Sequence, residues 1–191
     1  MWAVGGQCAA LNYQTAGSKT RLNQSKFLEN GGVGYVIKPF YLLSASLPVE
    51  MPKLRLTIRI ISGQMLPKPD TDLKGEVIDP YVVLTVCDDS NGISACSTVR
   101  TETVTNNGFN PCWDEIFSFE ISQPLSSFLY IKILDEDGIL EKDDFIGYCT
   151  VPISCLLEGF RHFRLYGIDG TRNGDVMYAS IFSQINIETI N

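Results

Sequence analysis

From residue 53 onward, apolar and polar positions alternate in short runs. The clearest sets Leu54, Leu56, Ile58 and Ile60 against Arg55, Thr57 and Arg59, the period-two pattern of a strand with one face buried and one wet. With 53–63 as the first, strand-like runs follow at 80–88, 97–105, 113–122, 128–134, 145–153, 160–166 and 176–188. The turns between them are polar and carry Gly or Pro, and helical periodicity is confined to a short turn around Leu156, Leu157 and Glu158. Short strands at this spacing predict a mainly β chain built as an eight-stranded antiparallel β-sandwich.

Residues 1–47 read differently. The runs 7–14 and 34–39 predict two short strands, joined by a connection holding Gly17, Ser18 and the Asn30-Gly31-Gly32 turn, with a brief helix or turn expected over 22–29. Two strands bury too little surface to be stable alone, so this piece is expected to be the tail of something larger. Pro48 and Pro52 punctuate the stretch that follows, and each fixes its own φ and disfavours helix before it. The chain therefore divides into 1–47, a linker at 48–52, and a sandwich domain at 53–191.

Composition narrows the classes of function. At 191 residues and 45% hydrophobic, the chain can bury one good core and an appendage. No apolar run approaches the roughly 20 residues a spanning helix needs, and the first residues lack the pattern of a secretory signal. The expectation is a soluble intracellular protein, or one peripheral to a membrane. A net charge of −7 argues against nucleic acid as a partner, since phosphate binding needs a basic footprint. The six cysteines are scattered without a C-x-x-C pair and are read as reduced thiols.

The richest chemistry lies at 135–147. Asp135 and Asp137 sit one residue apart where an apolar run ends, so in an extended chain their side chains point the same way. An isolated D-x-D of this kind is most simply a solvated acidic turn. Two further loops change the balance: 67–80, with Asp70, Asp72, Lys74 and Asp79, and 105–111, with Asn106, Asn107, Gly108 and Pro111. The loops after the first, third and fifth strands of an antiparallel sandwich lie at one end, so oxygen donors distant in sequence are expected to meet there. Hard cations such as Ca2+ take six to eight oxygens.

The matching runs carry a family resemblance. Leu54 to Pro67, Ile78-Asp79-Pro80-Tyr81-Val82, Asn106 to Pro111 with Trp113-Asp114, and Asp144-Phe145-Ile146-Gly147 closely resemble a C2 domain, specifically that of eukaryotic phosphoinositide-specific phospholipase C. Trp2, Gly6-Gln7, Ala10 to Thr15 and Asn30 to Pro39 look like the end of the same enzyme's (β/α)8 barrel, its Y region. The resemblance implies that 1–47 holds the last two strands of an incomplete barrel. It also implies a C-terminal fragment in which Met1 is an internal methionine.

What the family does is hydrolyse phosphatidylinositol 4,5-bisphosphate to diacylglycerol and inositol trisphosphate in signalling, using two histidines as acid and base. This chain has one histidine, His162, read as structural, and the chain alone is expected to be inactive. Carried over by position, the resemblance puts Ca2+ ligands at Val77 (backbone carbonyl), Asp79, Asn106, Asp135, Asp137 and Asp144. Asp72 and Asp143 stand as alternatives, and Asp70 is a weaker one. Ile139 and Leu140, at the crown of the third loop, either enter lipid or fold back onto the sandwich. Lys68, Lys74 and Arg100 are read as solvated, and Lys38 as structural. The implied partners are a phospholipid surface and the upstream catalytic barrel, and the implied location is cytoplasmic, peripheral at the plasma membrane. The competing reading is a calcium-independent C2 scaffold or protein-interaction domain.

Overall fold

The computed structural model describes residues 5–8, 10–15, 17–43, 51–69, 77–90, 93–137 and 143–190. Among these residues there is one α-helix, α1 (Ser18–Lys26), followed by eight strands: β1 (Lys53–Gln64), β2 (Pro80–Ser90), β3 (Ile93–Arg100), β4 (Cys112–Ile121), β5 (Phe128–Asp135), β6 (Asp144–Pro152), β7 (Gly159–Arg164) and β8 (Ser180–Ile190). Two four-stranded sheets, ordered β4-β1-β8-β7 and β3-β2-β5-β6, form the sandwich. Every described strand pairing is antiparallel.

The alternation in β1 does what its period demands. Leu56, Ile58 and Ile60 are fully buried, and they meet the second sheet through Val82, Leu84, Ile131 and Ile133 in one cluster. The outward row is polar and paired across strands: Arg59 makes a two-pronged bond to Asp114 at 2.6 and 2.8 Å, and Arg55 reaches Glu120 at 3.4 Å. The expected helical turn near 156 is a 3-10 turn at Ile153–Cys155.

Two expectations about strands need correction. β3 starts at Ile93 rather than at 97 and ends at Arg100, because its first half pairs with β2 from Ser90↔Ile93 to Cys87↔Cys96. It is an edge strand with an exposed run at Ala95, Cys96, Ser97 and Thr98, so no buried face announces it in the sequence. Within 7–14 and 34–39, the described residues form no strand. A barrel strand is held by a ladder of hydrogen bonds to neighbours on both sides, and the strand pairings among the described residues include neither run.

The cysteine reading also changes. Cys87 and Cys96 are joined by a disulfide, their Cα atoms 4.2 Å apart, whereas Cys8, Cys112, Cys149 and Cys155 are free.

Helix α1 begins four residues before the expected 22–29 and passes through a 3-10 turn, Phe27–Asn30, to Gly31 at φ 62°, the left-handed position where helices commonly end on glycine. Its buried side chains are Thr20, Arg21, Ser25 and Lys26, so it has no apolar stripe. Polar side chains hold it against the outer face of the β5–β6 pair. The Arg21 guanidinium lies 4.5 Å from the Phe145 ring centre and 4.2 Å from that of Tyr148, and it donates to the Tyr130 hydroxyl at 2.8 Å. Lys26 donates to Glu29 at 2.7 Å and to the Leu125 carbonyl at 3.1 Å. Glu29 in turn accepts from Ser154 at 3.2 Å. The segment before the linker is therefore seated on the sandwich. Most of the linker lies outside the described residues.

A buried cation between two rings contributes by cation–π attraction and by its hydrogen bond together. Arg21→Ala is expected to lower stability by roughly 1–3 kcal/mol in urea unfolding and to release the amides of α1 to hydrogen exchange. Arg21→Lys should recover only part of this, because an ammonium cannot lie flat between the rings.

Candidate functional site

The loops leaving β1, β3 and β5 sit at one end of the sandwich. β5 sets the floor: Asp135 is its last residue, in register with Pro80 on one side and Asp144 on the other. Asp135 is buried, and its Oδ1 accepts the Asp79 N–H at 2.6 Å. Asp79 then binds the other two loops. Its carbonyl accepts the Glu136 N–H at 3.1 Å, and its Oδ1 accepts the Asn106 N–H at 2.6 Å. Asp137 Oδ2 accepts the Asp144 N–H at 3.0 Å. Asp79, Asn106, Asp135, Asp137 and Asp144 thus belong to one cup, joined by carboxylate–backbone bonds. Val77, half exposed, lies two residues before Asp79.

Local backbone explains why Asn106 and Gly108 stand where they do. Asn106 has φ 54°, a left-handed conformation that asparagine adopts far more readily than bulky residues. Gly108 lies where the first two loops cross. Its carbonyl accepts the Leu66 N–H at 3.0 Å, and a Cβ there would lie 2.5 Å from Ile78 Cγ1. The crossing carries apolar side chains outward: Phe109 is 71% exposed, with Met65 and Val77 at 48% each.

Burial raises the Asp135 carboxyl above the ordinary carboxylate range, the Asp79 N–H bond opposes that shift, and the charges of Asp137, Asp79 and Asp144 add to it. Like charges held this close favour an added cation. The donors are all oxygens, the type that suits Ca2+ rather than a softer metal. Among the described residues, no three His, Cys, Asp or Glu side chains close into a metal-ligand group; the fit to Ca2+ is one of donor chemistry, oxygens brought to one end of the sandwich, and not of a closed ligand set.

Of the alternative ligands, Asp143 is among the described residues. Asp143 accepts a short hydrogen bond from the Tyr81 hydroxyl, and burial followed by that bond pushes the Tyr81 hydroxyl upward. Arg100, expected to be merely solvated, instead lies 4.1 Å over the Tyr81 ring and pairs with Glu136 at 3.0 Å. That contact flanks the acidic cup with one fixed positive charge. A cleft of about 590 Å³, lined by Lys132, Leu134, Asp143, Asp144 and Phe145 among others, opens beside it. Asp70, Asp72, Lys74, Ile139 and Leu140 lie outside the described residues. His162 belongs to the other sheet, its ring stacked on Phe182 at 4.7 Å and its Nδ1 3.4 Å from Ser180 Oγ.

The sequence reading missed Phe109 as a surface residue and Arg100 as part of the site. An aromatic between Gly108 and Asn110 in an otherwise polar loop was a usable signal for the first. Nothing local signals the second, because Arg100 meets Glu136 only through the pairing of β3, β2 and β5.

Residues 54–166 match the C2 domain family, and residues 1–41 match the Y domain of phosphatidylinositol-specific phospholipase C. The chain belongs to the phosphoinositide-specific phospholipase C family. It is 40% identical over 198 residues to human inactive phospholipase C-like protein 1, covering 97% of this chain and 17% of that protein. With 1-phosphatidylinositol 4,5-bisphosphate phosphodiesterase delta-3-A of Danio rerio, identity is 38% over 182 residues, covering 90% of this chain and 22% of the relative. The crystal structure of S. officinalis PLC21 superposes with a TM-score of 0.78 at 25% identity, covering 98% of this chain and 23% of that one. The chain thus spans about a fifth of the length of these relatives. Relatives named as phosphodiesterases and relatives named as inactive match it to a similar degree.

Because Gly108 has no room for a side chain, Gly108→Val should force the first two loops apart. The expected cost is about 1–3 kcal/mol, read as a lowered midpoint in thermal unfolding, whereas Asn110→Ala on the same loop should cost less.

Proposed function

We propose that this chain is the membrane-targeting end of a phosphoinositide phospholipase C, with a C2 domain that responds to calcium. The observation that carries the reading is the convergence of Asp79, Asn106, Asp135, Asp137 and Asp144 from three loops into one cup whose buried member, Asp135, is loaded by its neighbours' charge. Those residues, with the Val77 carbonyl, would hold Ca2+. When bound, the ion supplies positive charge that lipid phosphate oxygens can share. Phe109 and Met65 on the neighbouring loops, with Ile139 and Leu140 on the third, are the apolar groups that would enter the lipid interface, where burial of one large side chain contributes roughly 1.5–3 kcal/mol. The location that follows is cytoplasmic, peripheral at the plasma membrane. Hydrolysis of phosphatidylinositol 4,5-bisphosphate belongs to the barrel of the longer protein, since acid–base cleavage by two imidazoles needs more than the one histidine here. That barrel is the second partner, seated through the segment bearing α1.

One observation favours a second reading, a calcium-independent scaffold. The cup carboxylates already accept backbone N–H bonds that tie the loops together without any ion.

Sedimentation with phosphatidylcholine–phosphatidylserine vesicles separates the two. The calcium reading expects binding with Ca2+ and loss of it with a chelator, and Asp135→Asn combined with Asp137→Asn should remove the calcium-dependent fraction. Equal binding in both conditions would select the scaffold. Under the calcium reading, Phe109→Ala should weaken vesicle partitioning about tenfold while leaving calcium binding, followed by calorimetry without lipid, unchanged.

A further inference from the structure

The disulfide between Cys87 and Cys96 lies on neither the cup nor the core, and its position argues for a use. The two residues are directly opposed in the β2–β3 ladder. Their Cα separation of 4.2 Å is that of a non-hydrogen-bonded antiparallel pair, the kind that brings side chains closest. They stand on the outward row that also carries Thr85 and Thr98, whose hydroxyl oxygens are 3.0 Å apart. Cys96 is exposed and Cys87 half-buried, so small thiols and disulfides can reach the pair. The register from Val83↔Arg100 to Ser90↔Ile93 is set by the strand ladder on both sides of the pair. Cys149 is the contrast: it is buried, and burial pushes its thiol up to about 12, which leaves it unreactive.

We propose that Cys87 and Cys96 form a reversible thiol–disulfide site whose redox partner is a small disulfide of the glutathione type. In the forward step, the Cys96 thiolate attacks one sulfur of oxidised glutathione, the S–S bond of that molecule breaks, and one glutathione leaves as thiolate and takes up a proton. The Cys87 thiolate then attacks the Cys96 sulfur of the mixed disulfide, and the second glutathione leaves in the same way. The protein loses two hydrogens as its dithiol is oxidised, and one glutathione disulfide is reduced to two thiols. Reduction runs the same steps backward.

What the link controls follows from its neighbours. β3 is an edge strand held by β2 alone, so a covalent tie limits its fraying. The residue after Cys87 is Asp88, whose carboxylate accepts the N–H groups of Ser122 and Gln123 at 2.8 and 3.1 Å and the Ser127 hydroxyl at 2.8 Å. That turn presents the Leu125 carbonyl to Lys26 at 3.1 Å. The pair therefore sits at the opposite end of the sheet from the cup, beside the turn that receives the α1 segment.

The test uses the 191-residue chain equilibrated in buffers of varied reduced and oxidised glutathione, quenched with acid, alkylated and digested for mass spectrometry. The expected result is a peptide linking Cys87 to Cys96 that rises with oxidised glutathione and disappears in excess reduced glutathione. Exchange at β3 amides should be about tenfold slower in the oxidised form. Separate glutathione adducts on the two cysteines with no linked peptide would overturn the proposal, as would a link that survives a large excess of reduced glutathione. Cys96→Ser changes an exposed side chain and keeps the fold testable by circular dichroism. In that variant Cys87 should take at most a single glutathione, and β3 exchange should no longer depend on the redox buffer. Persistence of that dependence would place the effect at another cysteine and sink the assignment.

Discussion

Asp79, on the first loop, is bonded to both of the others: its amide donates to Asp135 and its carbonyl accepts from Glu136 at the end of β5, and its carboxylate accepts from Asn106. The geometry of the whole end of the sandwich depends on that one residue. Charge-assisted bonds from backbone N–H to carboxylate are among the stronger hydrogen bonds, and here they do two things. They satisfy backbone groups at the point where strand pairing stops, and they hold carboxylates close although their charges repel. A cup built this way keeps its shape while carrying stored electrostatic repulsion, which a cation binding only the folded state would relieve as added stability.

A second constraint acts at a distance from the cup. Arg21 is buried between Phe145 and Tyr148, both on β6, and β6 begins at Asp144 beside the cup. The strand that supplies the rim of the site on one end therefore supplies the seat of α1 along its length. Through β6, the position of the N-terminal segment is linked to that of Asp144 and the residues it meets at the cup.

The parts legible from sequence are those where one physical effect dominates locally. Alternation in 54–60 is a burial signal, and β1 forms where it predicts. The loop at 105–111 and the described ends of the one at 135–147 were readable because turn residues and crowded acids are local features, and strand parity alone brought them to the same end. β3 was misplaced because an edge strand with Ala95, Cys96, Ser97 and Thr98 exposed buries too little to show a pattern. Helix α1 was under-read for a related reason. Its docking face is Thr20, Arg21, Ser25 and Lys26, and no hydropathy period detects a helix held by cation–π contacts and salt bridges. The Cys87–Cys96 pairing depends on the β2–β3 register, which a sequence without spacing motifs does not reveal. Arg100 likewise gains meaning from partners distant in sequence, Glu136 at 36 positions and the Tyr81 ring on the neighbouring strand.

The likeness to both phosphodiesterases and inactive relatives has a physical reading in these terms. Nothing that fixes the cup, the sandwich core or the Arg21 seat involves proton transfer or a reacting phosphate. Asp79 works through its backbone as much as through its carboxylate, Gly108 works by lacking a side chain, and His162 is occupied by a ring stack on Phe182. A region constrained only by packing, hydrogen bonding and clustered charge can serve a chain that turns over lipid or one that does not. The residues that fix this region therefore do not by themselves separate those two fates: Asp79, Asn106, Asp135, Asp137 and Asp144 hold their places by hydrogen bonding and strand register.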